Sequence, residues 1–158
     1  MPQISNYTYD EITIGQTATY SKQIDMRDIQ LFAALSGDVN PVHLDATYAA
    51  GTQFKECIAH GMLSGTIISA AIAMKLPGPG SIYLGQSLRF RLPVKAGDTI
   101  TVTLEVTEKK DKRCIVILDC TVLNQHNKRV VTGTAEVMAA TEKLVLESPE
   151  PPRVHMGG

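Results

Sequence analysis

The chain has 158 residues, 44% of them hydrophobic and 20% charged, with a formal net charge of -1 at pH 7. Those figures fit one soluble domain with a real core and exclude a disordered chain or a strongly basic nucleic-acid surface. Cys57, Cys114 and Cys120 make an odd count without CxxC spacing, which points to free thiols in a reducing compartment rather than disulfides or a zinc site. The first residues carry neither the basic stretch nor the apolar run of a signal peptide, so the expected compartment is the cytoplasm.

In chain order, residues 11–24 mix Ile, Thr and Tyr in partial alternation and predict a strand broken near Gly15. Asp25 is a good N-cap for a helix over Met26 to Ser36, with Ile29, Phe32 and Ala33 on one face. Gly37 ends that helix and Pro41 cannot continue it, so Asp38, Asn40 and His43 are expected on an irregular segment. Asp45 to Ala50 predicts a short helical turn ended by Gly51, and a loop runs from there to His60. Gly61 to Leu76 is apolar on every side up to Lys75, the pattern of a helix buried all round. At 16 residues it would be about 24 Å long, short for a membrane span. Four β-rich runs follow, Ile82 to Leu92, Thr99 to Lys109, Arg113 to Leu123 and Arg129 to Ala140. The last two connections are short enough for antiparallel hairpins. One buried helix and an antiparallel meander make an α+β fold, a sheet wrapped around a long central apolar helix. Residues 1–141 are taken as its single domain and 142–158, rich in proline near Ser148, as a flexible tail.

The stretch with chemistry is Ser36-Gly37-Asp38-Val39-Asn40-Pro41-Val42-His43. Five residues apart, Asp38 and His43 diverge on a helix and on a strand, and only a bent segment lets them converge. The plain reading of the same residues is an Asx turn in which Asp38 and Asn40 bond their own backbone. The stretch resembles the hydratase 2 motif of the MaoC-like, (R)-specific enoyl-CoA hydratases. Ala59-His60-Gly61-Met62-Leu63 and Ser81-Ile82-Tyr83-Leu84-Gly85-Gln86-Ser87-Leu88-Arg89-Phe90 resemble that family's next two landmarks. The likeness covers about residues 10 to 140 and is strongest to the single-domain members that supply polyhydroxyalkanoate synthesis.

The resemblance implies a hot dog fold and reversible addition of water to a trans-2-enoyl-CoA, giving the (R)-3-hydroxyacyl-CoA. It implies Asp38 and His43 as the catalytic pair holding the water, for syn addition. Such a reaction needs a base for water, an acid for C2 and donors for the thioester oxygen, and no cofactor or metal. The N-terminus of the apolar helix offers the oxyanion donors, with the Gly61 amide first. Asn40 and Ser69 are expected to support the site, and His60 reads as structural. Arg89 and Arg91, two apart on one strand, are candidates for CoA phosphates, against the plain reading of a solvated strand face. Expected partners are an acyl-CoA and a second copy in a homodimer, with no nucleic acid and no membrane. Three other readings stay open: a dehydratase of (R)-3-hydroxyacyl thioesters in fatty-acid synthesis, a thioesterase, and a non-catalytic acyl-thioester binder of the same fold.

Overall fold

The computed structural model describes residues 2–157. The chain opens with β1 (Gln3–Ser5) and a 3-10 turn at Tyr9–Glu11, then runs through β2 (Thr17–Gln23) into α1 (Met26–Ser36). Two short helices follow, α2 (Pro41–Leu44) and α3 (Ala46–Ala50), and then the central helix α4 (Gly61–Met74). The rest is sheet: β3 (Ile82–Gln86), β4 (Arg89–Phe90), β5 (Thr99–Lys110), β6 (Ile115–Leu123), β7 (Arg129–Met138) and β8 (Val145–Glu147).

The main sheet is antiparallel in the order β2-β5-β6-β7-β3, with β4 also paired to β7. Strict alternation in β5 and β6 turns Ile100, Val102, Leu104, Leu118, Cys120 and Val122 inward, all fully buried. They meet Leu63, Ile67, Ile68, Ala71 and Ile72 of α4 in one core. Each such aliphatic side chain contributes about 1.5–3 kcal/mol of burial free energy. Burial also pushes the Cys120 thiol up to about 11, so it behaves as a small core hydrophobe. This is the hot dog arrangement: a curled sheet with one helix along its concave face.

Local chemistry sets the element ends. Asp25 caps α1 reciprocally with Asp28, each carboxylate accepting the other residue's backbone N–H. The Asp28 amide is the largest influence holding the Asp25 carboxyl below its ordinary value. Gly37, at φ 80°, closes α1 in the left-handed conformation.

Several expectations need correction. The helix Gly61 to Leu76 is not buried all round: one face packs on the sheet, while Met62 and Met74 stay exposed. The sheet has a single concave side, and the opposite face of α4 is left apolar and open. The run Ile82 to Leu92 is two strands rather than one, because the chain steps over Gly133 of β7 at Ser87. A Cβ at Gly133 would lie 1.9 Å from the Ser87 carbonyl oxygen. β6 starts at Ile115 because Arg113 and Cys114 adopt φ of 65° and 53° in the preceding turn. The supposed tail from residue 142 is tied down at its start. β8 pairs with β1, and Asn6 exchanges hydrogen bonds with Glu142 and Leu144. Three-residue strands carry too little pattern to be seen in sequence.

Gly133→Ala is expected to cost at least about 3 kcal/mol, the upper range for overpacking, since the clash is with the Ser87 backbone and only a strand shift relieves it. Urea denaturation against the parent chain measures this.

Candidate active site

The loop after α1 brings the motif together through its own side chains. Ser36 Oγ accepts the Asp38 N–H at 3.1 Å, and Asp38 Oδ1 accepts the Asn40 N–H at 3.1 Å. Asn40 Oδ1 then accepts the Val42 N–H at 3.2 Å, capping α2 with Pro41 as its first residue. The plain Asx-turn reading is therefore correct, and it is also the means of convergence. His43 rides on this one-turn helix, not on the irregular segment expected. Pro41 starts the helix because its missing N–H would be unpaired there in any case.

The result is a carboxylate whose two oxygens are divided. Oδ1 is held by the loop, while Oδ2 lies 3.7 Å from His43 Nε2 and 4.0 Å from His60 Nε2. The His43 ring is buried, whereas the Asp38 side chain is half exposed. His43 Nδ1 lies 2.8 Å from the Ile58 carbonyl oxygen. A carbonyl only accepts, so Nδ1 carries the proton and Nε2 presents a lone pair toward Asp38. Both groups facing the open side are acceptors, set too far apart for a direct hydrogen bond.

His60 caps this pocket from behind. Its Nε2 donates to the Asp38 backbone carbonyl at 2.9 Å, and its ring stacks on His43 at 3.8 Å between centroids. Sequence reasoning placed His60 as structural; its contact with the motif loop crosses 22 residues, which no spacing rule reports. The available signal was a His directly before an apolar helix that starts without a Ser, Thr, Asp or Asn cap. Asp38, His43 and His60 put three donor atoms within 4.8 Å of one another, a convergence that the sequence spacing did not show. His60 Nε2 is already committed as a donor, so the open side is left to His43 and Asp38.

Two cavities flank the start of α4. One of about 230 Å³ is lined by residues including His60, Gly61, Ser64, Phe90 and Arg91. The other, an apolar groove of about 500 Å³, lies along Phe32, Met62, Gly65, Thr66, Ser69, Tyr83, Gln86 and Leu88. No side chain caps α4, in contrast to α1 and α3 with their Asp caps. Its first N–H groups therefore face the cavity with the positive end of the helix dipole. Gly61 sits tight under Phe90: a Cβ there would meet the ring at 3.0–3.3 Å.

The remaining expected site residues divide. Arg91 lines the smaller cavity and its Nε donates to Thr132 Oγ1 at 3.2 Å. Arg89, opposite Thr132 on β4, lines neither cavity, and β4 ends at Phe90, so the two arginines do not share one strand. Ser69 lies two turns along α4 in the groove, and the loop's bonds run instead to Ser36, Asn40, Ile58 and His60. In the same groove, burial pushes the Tyr83 phenol up to about 12, and it donates to Gln86 Oε1.

Fold and site together define a hot dog domain with an Asp–His pair beside an uncapped helix N-terminus. Residues 10–134 match the MaoC like domain family, and the chain belongs to that family. It is 47% identical over 132 residues to an (R)-specific enoyl-CoA hydratase of Rhodospirillum rubrum, covering 82% of this chain and 90% of that one. The R-hydratase PhaJ1 from Pseudomonas aeruginosa, solved in the unliganded form, superposes with a TM-score of 0.95 at 59% identity, over 99% of this chain and 100% of that chain. An (R)-hydratase from A. caviae involved in PHA biosynthesis gives 0.79 at 44% identity, over 81% and 97%.

Proposed function

We propose that this chain is an (R)-specific enoyl-CoA hydratase, a hydro-lyase that adds water reversibly to a trans-2-enoyl-CoA. The observation that carries the reading is the pair of acceptors, Asp38 Oδ2 and His43 Nε2, 3.7 Å apart on the open side of the loop. A water between them donates one hydrogen to each and turns its lone pair toward C3 of the substrate. As oxygen bonds to C3, the pair takes a proton and the alkene electrons move toward the thioester. The enolate-like oxygen is stabilised by the Gly61 N–H and the α4 dipole, and C2 then collects the proton from the pair. Hydroxyl and hydrogen thus arrive on one face. No step requires a cofactor or a metal. Asn40 holds the loop that sets the pair, and Arg91 is the better-placed of the two arginines for CoA phosphates. Ser69 belongs with the groove, where an acyl chain finds apolar walls. The identity to two named (R)-hydratases supports this reaction over thioester hydrolysis or bare binding.

What the single chain leaves uncovered supports a homodimer. β3 is an edge strand whose Ile82 and Leu84 are 54% and 38% exposed, next to the open face of α4 with Met62 at 55%. Exposed apolar edges of this kind invite pairing with another chain. A cytoplasmic setting agrees with Cys57, Cys114 and Cys120 being unpaired; among the described residues no helix is long and apolar enough to cross a membrane.

With crotonyl-CoA, the wild type is expected to consume the enoyl-thioester absorbance and give (R)-3-hydroxybutyryl-CoA. Asp38→Asn and His43→Ala each lose at least about 10² in kcat/KM. Release of free thiol, or full turnover by both variants, would contradict the assignment. In sedimentation velocity the wild type is expected at twice the 17.1 kDa chain mass, with Leu84→Lys shifted toward the single chain. A wild type that sediments as one chain would remove the dimer.

A further inference from the structure

His60 makes more of its position than a packing residue needs. It is 3% exposed, and its ring is sandwiched between Phe32 of α1, at 4.7 Å and 41°, and His43 of α2, at 3.8 Å and 25°. Its Nε2 donates to the carbonyl of Asp38, and its own backbone opens α4 one residue before Gly61. One side chain thus touches both members of the acid–base pair, while its peptide adjoins the oxyanion donor. The other ring nitrogen, Nδ1, is buried with no hydrogen-bond partner among the described residues. A proton there would be a buried donor without an acceptor, an unfavourable arrangement. The pocket therefore accepts the ring with a single proton, on Nε2, where it serves as a tether.

We infer that His60 is a positioning residue for the hydration reaction, fixing Asp38 against His43 and holding both in register with the Gly61 amide. This rests on the reading of Asp38 and His43 as the acid–base pair. The tether acts on the backbone carbonyl of Asp38, while Ser36 Oγ holds its N–H. Ser36 and Asn40 fix the turn's internal shape, whereas His60 joins that turn to the start of α4. The titratable groups in contact with His60 are Asp38 and His43.

Two substitutions separate the parts. His60→Phe keeps a ring between Phe32 and His43 but has no donor for the Asp38 carbonyl; His60→Gln keeps a donor of similar reach without the ring. His60→Phe is expected to lose about 10- to 100-fold in kcat with KM within about threefold, as misplacement of reacting groups by an ångström can do. His60→Gln is expected to recover to within about fivefold of wild type. Circular dichroism melts confirm that activities are compared between folded proteins. Full kcat in His60→Phe, or an equal loss in both folded variants, overturns the tether. The wild type supplies an independent test that needs no variant to fold. Long-range ¹⁵N–¹H spectra should show the Nε2–H tautomer at His60 and the Nδ1–H tautomer at His43, and an Nδ1–H form at His60 overturns the inference. Loss of the catalytic reading through active Asp38→Asn and His43→Ala proteins leaves these tautomers untouched, so the two failures are distinguishable.

Discussion

Two imidazole-to-carbonyl hydrogen bonds hold the site together, His43 Nδ1 to Ile58 and His60 Nε2 to Asp38. They run in opposite directions between the same two segments. A residue of the motif loop reaches the approach to α4, and the cap residue of α4 reaches back to the motif loop. Each bond also fixes a tautomer, so the donor and acceptor roles in the pocket are set by backbone oxygens that do not titrate. The carboxylate is fixed in the same manner, with Oδ1 committed to the turn and Oδ2 left for chemistry. Orientation here comes from hydrogen bonds made before any substrate arrives, which is how a preorganised site limits reorganisation during reaction.

The central helix serves the site through its asymmetry. One face, with Leu63, Ile67, Ile68 and Ala71, is buried against the sheet and anchors the helix. That anchoring holds its uncapped N-terminus at the cavity that Gly61 lines. The opposite face remains apolar without being covered, and it lies next to the unpaired edge of β3. An apolar groove and an exposed apolar sheet edge thus lie side by side.

Much of this was legible in the residues. Asp25, Gly37, Asp45 and Gly51 marked helix ends because capping chemistry is local, and α1 spans the residues its pattern predicts. β5, β6 and β7 were visible because alternation survives wherever a strand has one buried face. The features that escaped depend on distant partners. The split between β3 and β4 follows from Gly133, more than forty positions later, and β8 exists only because β1 accepts it. In the site, Asp38, Asn40 and His43 read as an Asx turn by residue type, and the resemblance singled them out together with Gly61. The His60 contact was not legible because it reaches across the fold, and Ser69, expected to support the site, lines the groove. The open face of α4 was hidden for a related reason: an apolar surface waiting for a partner reads the same as one buried in the core.

In the proposed reaction one water, held by Asp38 and His43 together, supplies both the hydroxyl for C3 and the proton for C2. Hydration of crotonyl-CoA in D₂O, followed by NMR of the isolated 3-hydroxybutyryl product, is the decisive experiment. A shared water predicts a single deuterium at C2 on the same face as the hydroxyl at C3. Deuterium on the opposite face would contradict it, since the acid and the base would then have to act from two sides of the alkene.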